Sequence, residues 1–295
     1  MTVQPRFPAG PPRSADDLLA ALAAAPTLSV GDPRIVDFLA DLAGRLLAPG
    51  VARRHPELAS LGFFLRRAEL TRTVRRLGTA DPDVTRVPRG LIFHVPPANV
   101  DTVFVYSWAL SALAGNRNVV RVSARAAGAA DTILGLLADA ADTADPVVAR
   151  TQQMITYGRD DAVTAALSAG CDLRVIWGGD AAVNQIRRHP LAPTARDVVF
   201  PDRSSFAVLG ADGWRGADPA ERRAAVDGFA NDVYWFDQAA CSSPRTLFLV
   251  GTPADAEKVL GEFRELLAEG VRRRGWSVDA ALAVEKRVRL YGAAA

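Results

Sequence analysis

The fold of this protein is decided by residues 88–123, which read PRGLIFHVPPANVDTVFVYSWALSALAGNRNVVRVS. Leu91–Val95 is a short apolar run that is followed by two prolines, and we predict that it forms a buried strand. An apolar helix is predicted over residues 102–114, because the Gly115-Asn116 pair suits the left-handed end of a helix. Residues 118–122 are predicted to form a second strand. A strand, a helix and a strand at this spacing predict a parallel βαβ unit.

The same alternation continues along the chain. Short apolar runs that predict strands alternate with stretches that predict helices. The predicted strands are residues 154–157, 173–177, 197–200 and 206–209, and the predicted helices are residues 124–141, 160–169 and 181–188. This alternation indicates an α/β fold with a doubly wound, mostly parallel sheet.

Other patterns flank the sheet region. Residues 1–14 are rich in proline, and we expect them to be extended or disordered. Further elements are predicted as a helix capped by Ser14, helices at 33–47, 57–77, 218–236 and 253–274, and a strand at 245–250. The chain therefore divides into an N-terminal helical segment at 1–87, a sheet domain at 88–217 and a third segment at 218–295.

The composition excludes several classes of protein. The 295 residues include 35 basic and 33 acidic side chains, so the net charge is only +2. Nucleic-acid binders and proteins that bind anionic membranes usually concentrate basic charge, so neither class is expected. No apolar run approaches the roughly 18 residues that cross a bilayer, and no secretory signal is expected at the N-terminus.

The cysteines and histidines are few. With only Cys171 and Cys241, a disulfide framework is not expected, and we predict a cytoplasmic protein. His55, His94 and His189 are far apart and lack partners at metal-ligand spacing, so no metal site is predicted. We expect these histidines and Cys171 to be structural or, for the histidines, solvent-facing.

Cys241 is the most informative single residue for chemistry. It lies between a predicted helix and a predicted strand, within Gln238-Ala-Ala-Cys-Ser-Ser-Pro244, where small neighbours let a reactant approach the sulfur. A thiolate is a strong nucleophile and forms thioesters readily once its pKa is lowered. The alternative is a buried and unreactive thiol.

Asn99 is the second candidate. It ends Pro96-Pro97-Ala98-Asn99, directly after the first strand of the sheet, and open α/β sheets bind ligands at the carboxyl ends of their strands. Its side-chain amide could donate a hydrogen bond to a developing oxyanion. The alternative is a helix N-cap.

Two further groups of residues are candidates for binding a dinucleotide. Arg121, Ser123 and Arg125 follow the second strand, where the ribose would lie, and no carboxylate is present there to bind a 2′-hydroxyl. Two guanidinium groups would suit a 2′-phosphate, which favours NADPH. Gly178 and Gly179, between a strand and a helix, could let backbone N–H groups approach a phosphate, and a plain tight turn is the alternative.

The order of these motifs resembles the aldehyde dehydrogenase superfamily. Three stretches are similar to its acyl-CoA reductase branch, the LuxC-type fatty-acyl reductases: HVPPAN at 94–99, LAGNRNV at 113–119 and FDQAACSSP at 236–244. The resemblance runs from about residue 88 to about residue 265. The Asp-Gln-x-x-Cys-Ser-Ser-Pro stretch is its most specific part.

The resemblance implies a role for each candidate. Cys241 is the expected nucleophile, and Asn99 is expected to form the oxyanion hole together with the Cys241 backbone N–H. Arg121 takes the place where relatives usually have a lysine on the adenosine ribose. Ala124 takes the place where NAD-preferring relatives have a glutamate, which again implies NADPH.

The resemblance also implies what each part of the chain does. Residues 88–217 are expected to be a dinucleotide-binding, Rossmann-like domain, in which Gly178 and Gly179 match the turn beside the cofactor. Residues 218–295 are expected to be a partial catalytic domain that carries the nucleophile. Relatives continue well beyond the region of Trp276, so we expect a catalytic domain that is shortened at its C-terminus.

The implied reaction is the NADPH-dependent reduction of an acyl-CoA or acyl-protein thioester to an aldehyde through an acyl-enzyme on Cys241. Residues 198–204 lack the glutamate general base of hydrolytic relatives, which is consistent with a reductase. An acyl-activating or acyl-transfer protein is an expected partner, and self-association into a homo-oligomer stays open. Two alternatives remain, a non-catalytic or half-catalytic binding subunit that docks such a partner, and a semialdehyde dehydrogenase with a short polar substrate.

Overall fold

The computed structural model of the protein describes residues 2–78, 83–97, 102–123, 128–201, 203–234, 238, 240–277, 280, 283–284, 287–288 and 291–292. The chain forms two compact units, Met1–Asp202 and Arg203–Ala295. Each unit has its own sheet and its own core. The predicted site residues Asn99 and Arg125 lie outside the described residues. The predicted site residues inside them are Cys241, Arg121, Ser123, Gly178 and Gly179.

The first unit is built on a seven-stranded sheet. Its strands are β1 (Thr2–Phe7), β2 (Arg13–Ser14), β3 (Leu91–Val95), β4 (Arg117–Arg121), β5 (Gln152–Thr156), β6 (Leu173–Trp177) and β7 (Arg196–Phe200). They lie in the order β2-β1-β5-β4-β3-β6-β7, and the five strands from β5 to β7 in this order are parallel. The chain winds outward from β3 in both directions, which confirms the predicted doubly wound, mostly parallel α/β sheet.

Helices cover both faces of this sheet. They are α1 (Ala15–Ala23), α2 (Pro33–Leu46), α3 (Pro49–Arg54), α4 (Pro56–Phe64), α5 (Arg67–Gly78), α6 (Val103–Leu113), α7 (Ala129–Ala141), α8 (Pro146–Thr151), α9 (Asp161–Gly170) and α10 (Asp180–Arg187). Successive strand residues point to opposite faces, so Val120 joins a core with Trp108 of α6, and Val119 joins the other core with Leu18 of α1. The sheet is thereby fixed between two helical layers.

Of the two expectations for residues 1–14, extended or disordered, the first strand confirms the extended one. β1 pairs antiparallel with β5, and Val3 and Phe7 are fully buried. Val3, Pro5 and Phe7 alternate with polar residues, which is the pattern of a strand with one buried face. The prolines conceal this pattern, because proline is usually confined to edges and irregularities of sheets. The register of β1 against β5 indeed shifts between Pro5 and Phe7.

The helical segment predicted at residues 57–77 is two helices, α4 and α5. The break falls at Leu65, whose backbone N–H donates to the carbonyl of Leu61 at the end of α4. Arg66 then accepts hydrogen bonds at its carbonyl from the N–H groups of Glu69 and Leu70, which starts α5. No helix in the described part of the chain combines the length and the apolar composition of a membrane span.

The second unit is a small parallel sheet backed by helices. Its elements are β8 (Ser205–Gly210), α11 (Ala211–Gly216), α12 (Pro219–Tyr234), β9 (Pro244–Val250) and α13 (Pro253–Arg274). One face of the sheet packs on the core around Trp214 and Phe263. The side chains of Phe206 and Phe248 on the other face are 64% and 52% exposed and touch each other edge to face.

The boundary between the units differs from the one predicted after residue 217. The predicted strand at 206–209 exists, but it pairs with β9 and not with the first sheet. Residues 203–217 therefore belong to the second unit. The N-terminal segment 1–87 is part of the first unit, because it supplies β1 to the sheet and α2 to its core.

Candidate active site

The predicted cofactor residues of the first unit that the structure describes lie at the carboxyl ends of the parallel strands. Arg121 is the last residue of β4, and Ser123 lies two residues beyond it. Gly178 and Gly179 follow β6, and β3 lies between β4 and β6. The direction of winding reverses between β3 and β6, and open α/β sheets bind ligands at such a reversal.

Arg121 is held against an aromatic ring. Its Cζ atom lies 4.5 Å from the ring centroid of Tyr157, and its Nη2 donates to the carbonyl of Gly158 at 3.4 Å. Arg121 has no carboxylate partner among the described residues. Its positive charge therefore suits an anion such as a phosphate. Sequence reasoning missed Tyr157, because no motif marks a single aromatic residue after a strand.

The Gly178-Gly179 turn connects β6 to α10 as predicted. The Gly178 N–H donates to the carbonyl of Phe200 at 3.2 Å, so this amide is not free to bind a phosphate. Gly179 occupies the N-cap position of α10 with φ −62° and ψ 158°, and Asp180 places a carboxylate in the first turn.

A buried polar network joins β3, β4, β5 and β6 to α6. Asn118 donates from Nδ2 to Gln152 Oε1 at 2.8 Å and to the Asn116 carbonyl at 2.9 Å, so its Oδ1 is an acceptor. His94 Nε2 lies 2.9 Å from that oxygen and must carry the proton. We call His94, Ser107, Asn118, Gln152 and Trp177 the His94 network.

The other nitrogen of His94 completes the network. Nδ1 lies 2.8 Å from Ser107 Oγ and accepts its proton, and Trp177 Nε1 donates to the same Oγ at 3.3 Å. Burial lowers the pKa of His94 to about 4, so the ring is neutral at pH 7. Both ring nitrogens are engaged, as a structural role requires, and the network ties the last residue of β6 to α6.

The other two histidines also contact polar side chains. His55 Nδ1 lies 3.3 Å from Glu57 Oε1 and His55 Nε2 lies 3.2 Å from Thr132 Oγ1. His189 Nε2 lies 3.7 Å from Asp161 Oδ1. Within the part of the chain that the structure describes, His, Cys, Asp and Glu side chains form no group of three that could hold a metal ion.

Cys241 lies in the second unit, in the turn that leads into β9. It is exposed and free, and its carbonyl accepts a hydrogen bond of 2.8 Å from Ser205 Oγ at the start of β8. The Ser243 N–H donates to the Ala240 carbonyl at 3.0 Å and closes the turn. The turn is therefore fixed to both strands while its thiol faces solvent.

Gln238 shapes the entry to this turn. Its φ of 64° is in the left-handed region, which is uncommon for a residue other than glycine. Its N–H donates to the Val233 carbonyl at 3.1 Å at the end of α12, and its side-chain amide reaches the Pro244 carbonyl at 3.4 Å. The motif does not reveal this role of Gln238, because its two partners lie on opposite sides of the turn.

Cys171 is buried, whereas Cys241 is exposed. Cys171 is 3% exposed, and its Sγ donates to the Ser168 carbonyl at 3.3 Å. Burial raises the pKa of the Cys171 thiol to about 11. The thiolate form is therefore scarce, and the expectation that Cys171 is a core residue is confirmed.

Solved structures share this fold. An NAD-dependent aldehyde dehydrogenase from Sinorhizobium meliloti aligns with a TM-score of 0.60 and 19% identity over 88% of this chain and 54% of its own. An NADP-dependent glyceraldehyde-3-phosphate dehydrogenase from Bacillus halodurans, complexed with NADP, aligns with a TM-score of 0.56 and 15% identity over 91% of this chain and 61% of its own. The fold is therefore aldehyde dehydrogenase-like.

Sequence relatives point to one branch of that fold. The long-chain acyl-protein thioester reductase 2 of Photobacterium leiognathi is 24% identical over 70% of this chain and 42% of its own length. The long-chain acyl-protein thioester reductase of Vibrio harveyi is 28% identical over 57% of this chain and 34% of its own length. The chain thus spans about two fifths or less of these two curated relatives.

The family model described as acyl-CoA reductase (LuxC) matches residues 72–281. This match includes both the strands that carry the predicted cofactor residues and the turn that carries Cys241. It covers more than half of the chain, and the resemblance stated from the sequence is confirmed. The protein belongs to the acyl-CoA reductase (LuxC) family.

Proposed function

We propose that this protein reduces an acyl-CoA or acyl-protein thioester to an aldehyde with NADPH, through an acyl-enzyme on Cys241. One observation carries the proposal: the Cys241 thiol is exposed on a turn that is fixed at both sides, within the region that matches the family. A nucleophile must be reachable by its substrate and held in place, and this turn provides both conditions.

The first step belongs to the second unit. The Cys241 thiolate attacks the carbonyl carbon of the thioester, a C–S bond forms, and the thiol of coenzyme A or of the carrier protein leaves. The negative charge on the carbonyl oxygen is stabilised by the side-chain amide of Asn99 and by the Cys241 backbone N–H. The product of this step is a thioester on Cys241.

The second step is the reduction of that thioester. NADPH supplies a hydride to the acyl carbon when it is bound. The thiohemiacetal that forms on Cys241 carries a negatively charged oxygen. The same donors, Asn99 and the Cys241 N–H, stabilise that oxygen. When its C–S bond breaks, the aldehyde leaves and the Cys241 thiolate is restored. The acyl group has then gained one hydride and lost its bond to sulfur.

The residues at the carboxyl ends of the strands fit NADPH. The Arg121 guanidinium has no carboxylate partner among the described residues, and β4 itself contains no acidic residue. It can therefore receive the 2′-phosphate, with Ser123 and Arg125 as further donors. Gly178 and Gly179 would lie beside the cofactor without a hydrogen bond from the Gly178 amide, since that amide is occupied.

The strand after the Gly-Gly turn fits a reductase. Residues 196–204 contain Asp197 and Asp202 but no glutamate. Asp197 is bound to the Arg174 guanidinium, so it is not free to act as a base. The lack of the glutamate base of hydrolytic relatives in this stretch fits a thioester on Cys241 that persists until it is reduced.

Labelling with an acyl thioester tests the nucleophile. We expect wild-type protein to take up the acyl group on Cys241, and Cys241→Ala to take up none. Asn99→Ala should lower turnover by about 10²- to 10³-fold, the usual cost of one oxyanion donor, without changing the unfolding temperature. If Cys241→Ala is labelled at the wild-type rate, the assignment of the nucleophile is wrong.

A binding subunit is the second candidate function. It is favoured by the exposed aromatic residues Phe206 and Phe248 on β8 and β9. Such a subunit would bind NADPH and an acyl-activating or acyl-transfer protein, or a second copy of itself. Titration with NADPH followed by an aldehyde assay separates the two functions, because binding without turnover favours the subunit.

The proposed compartment is the cytoplasm. Cys171 and Cys241 are both free, and a reactive exposed thiol is kept reduced there. The chain length of the acyl group is open within this proposal, and a series of acyl-CoA thioesters would define it. A preference for short polar acyl groups in that series would favour a semialdehyde dehydrogenase.

A further inference from the structure

The geometry points to Tyr157 as the residue that positions Arg121 and thereby sets the preference for NADPH over NADH. The inference rests on the proposed function, since it concerns the cofactor of the proposed reaction. Tyr157 is a positioning residue here, because it acts on the cofactor only through Arg121.

The two residues come from neighbouring strands. Arg121 of β4 is opposite Ile155 of β5, and Tyr157 lies two residues further along the same chain segment. Hydrogen bonds also join the two segments at the ends of β4 and β5. The Val122 N–H donates to the Ile155 carbonyl at 2.8 Å, and Thr156 Oγ1 donates to the Val122 carbonyl at 3.1 Å. The backbone on both sides of the contact is therefore fixed.

Tyr157 itself is held firmly. Its side chain is in the core beside Val163 and Leu167, only 6% of the residue is exposed, and its hydroxyl lies 3.1 Å from Thr164 Oγ1. A ring fixed in this way offers one face to the guanidinium of Arg121, whose Cζ lies 4.5 Å from the centroid.

A stacked guanidinium keeps its edges available. Stacking uses the face of the planar group, and the hydrogen bond to Gly158 uses only Nη2. The remaining N–H groups lie in the plane and can bind two oxygens of a phosphate. An arginine that is already ordered loses less conformational entropy when it binds, so the ring should increase affinity for the phosphate.

This effect should be selective between the two cofactors. NADPH differs from NADH by the 2′-phosphate, so a guanidinium at the adenosine ribose gains a charged partner only in NADPH. Loss of the Tyr157 ring should therefore weaken the binding of NADPH and leave the binding of NADH nearly unchanged. If the role of Tyr157 were purely structural, loss of the ring would weaken the binding of both cofactors equally.

The test is titration calorimetry of the whole protein with NADPH and with NADH, and with adenosine 2′,5′-bisphosphate and 5′-AMP as fragments. Tyr157→Leu removes the ring face, Tyr157→Phe keeps the ring and removes the hydroxyl, and Arg121→Ala is the reference. We expect Tyr157→Leu to raise the Kd of NADPH about three- to tenfold, and the Kd of NADH less than about twofold. Tyr157→Phe should keep the wild-type ratio of the two Kd values.

The outcomes separate this inference from the proposed function. If wild-type protein does not bind NADPH, or if Arg121→Ala leaves the ratio of Kd values unchanged, the proposed cofactor site is wrong and the inference falls with it. Suppose that Arg121→Ala lowers the preference for NADPH over NADH. If Tyr157→Leu then leaves that preference unchanged, or weakens the binding of both cofactors equally, only the inference is overturned. Tyr157→Met, which also lacks a ring, replaces Tyr157→Leu if that variant does not fold.

Discussion

His94 Nε2 donates a hydrogen bond of 2.9 Å to Asn118 Oδ1 across two neighbouring strands in the middle of the sheet. On its other side the ring accepts from Ser107 Oγ, which also binds Trp177 Nε1. One buried, neutral imidazole therefore connects the strand that leads to Asn99 with the strand that leads to Gly178. We therefore expect the stability of the first unit to depend on this side chain.

Removal of the imidazole should destabilise the protein. His94→Leu removes one hydrogen bond from Ser107 Oγ and one from the buried Asn118 Oδ1, which keep Trp177 Nε1 and Ser111 Oγ as donors. Each lost hydrogen bond costs about 0.5–1.5 kcal/mol, so the free energy of unfolding should fall by roughly 1–3 kcal/mol in urea. His189→Leu is the control, with an expected loss below about 1 kcal/mol, because its ring faces one carboxylate at 3.7 Å. A His94→Leu variant as stable as wild type would show that the network contributes little.

The same residue predicts a dependence of stability on pH. Burial lowers the pKa of His94 from 6.5 to about 4, so below pH 6.5 the unfolded chain binds a proton that the folded chain does not. Stability should therefore fall as the pH decreases from about 6.5 to about 4, by roughly 3 kcal/mol from this group. Urea unfolding across that range should show a weaker dependence for His94→Gln, which cannot titrate. Equal slopes for the two proteins would contradict the assignment.

Asp197 should be essential for stability because of its buried partner. Arg174 is 1% exposed and donates to Asp197 Oδ1 at 2.8 Å and to Oδ2 at 3.0 Å. Asp197→Ala leaves this guanidinium without its counter-charge, which costs about 3–5 kcal/mol. The matched control is Asp37→Ala, which breaks an exposed pair with Arg67 and should cost less than about 1 kcal/mol in the same urea experiment. Similar losses in the two variants would argue against a special role for the buried pair.

The two cysteines should react at very different rates. Cys241 is exposed, whereas Cys171 is buried and its pKa is raised to about 11. Iodoacetamide at about pH 8 should modify Cys241 at least about a hundredfold faster than Cys171, because alkylation requires an accessible thiolate. Peptide mapping by mass spectrometry measures both rates in one sample, and in urea both residues should react. Rapid alkylation of Cys171 in the folded protein would contradict its placement in the core.

Much of the fold follows from local sequence. β3 and β6 have the bounds that the sequence predicts, because Leu91–Val95 and Leu173–Trp177 are mostly apolar and adjoin glycine or proline. α6 ends two residues before Gly115, and that glycine has the positive φ that the pattern indicates. α13 likewise begins and ends where its proline and glycine predict. Short-range signals of turns and caps determine these features.

Features that depend on distant partners were not predictable in the same way. The sequence predicts the strand at 206–209 but not its pairing with β9, because α11 and α12 separate the two strands along the chain. The sequence does not predict β1, because its partner β5 is far along the chain and prolines conceal its alternation. In the site, Cys241 follows from a motif, whereas Tyr157 becomes visible only when β4 and β5 lie side by side.

The central claim is that Cys241 carries the acyl group that is reduced, and intact-mass spectrometry tests it most directly. The protein is incubated with a series of acyl-CoA thioesters without NADPH, and NADPH is then added. The account predicts an adduct with the mass of the acyl group on the Cys241 peptide, absent in Cys241→Ala, that disappears with NADPH as an equal amount of aldehyde is released. Aldehyde formation without an adduct on Cys241, or an adduct that NADPH does not discharge, would contradict it.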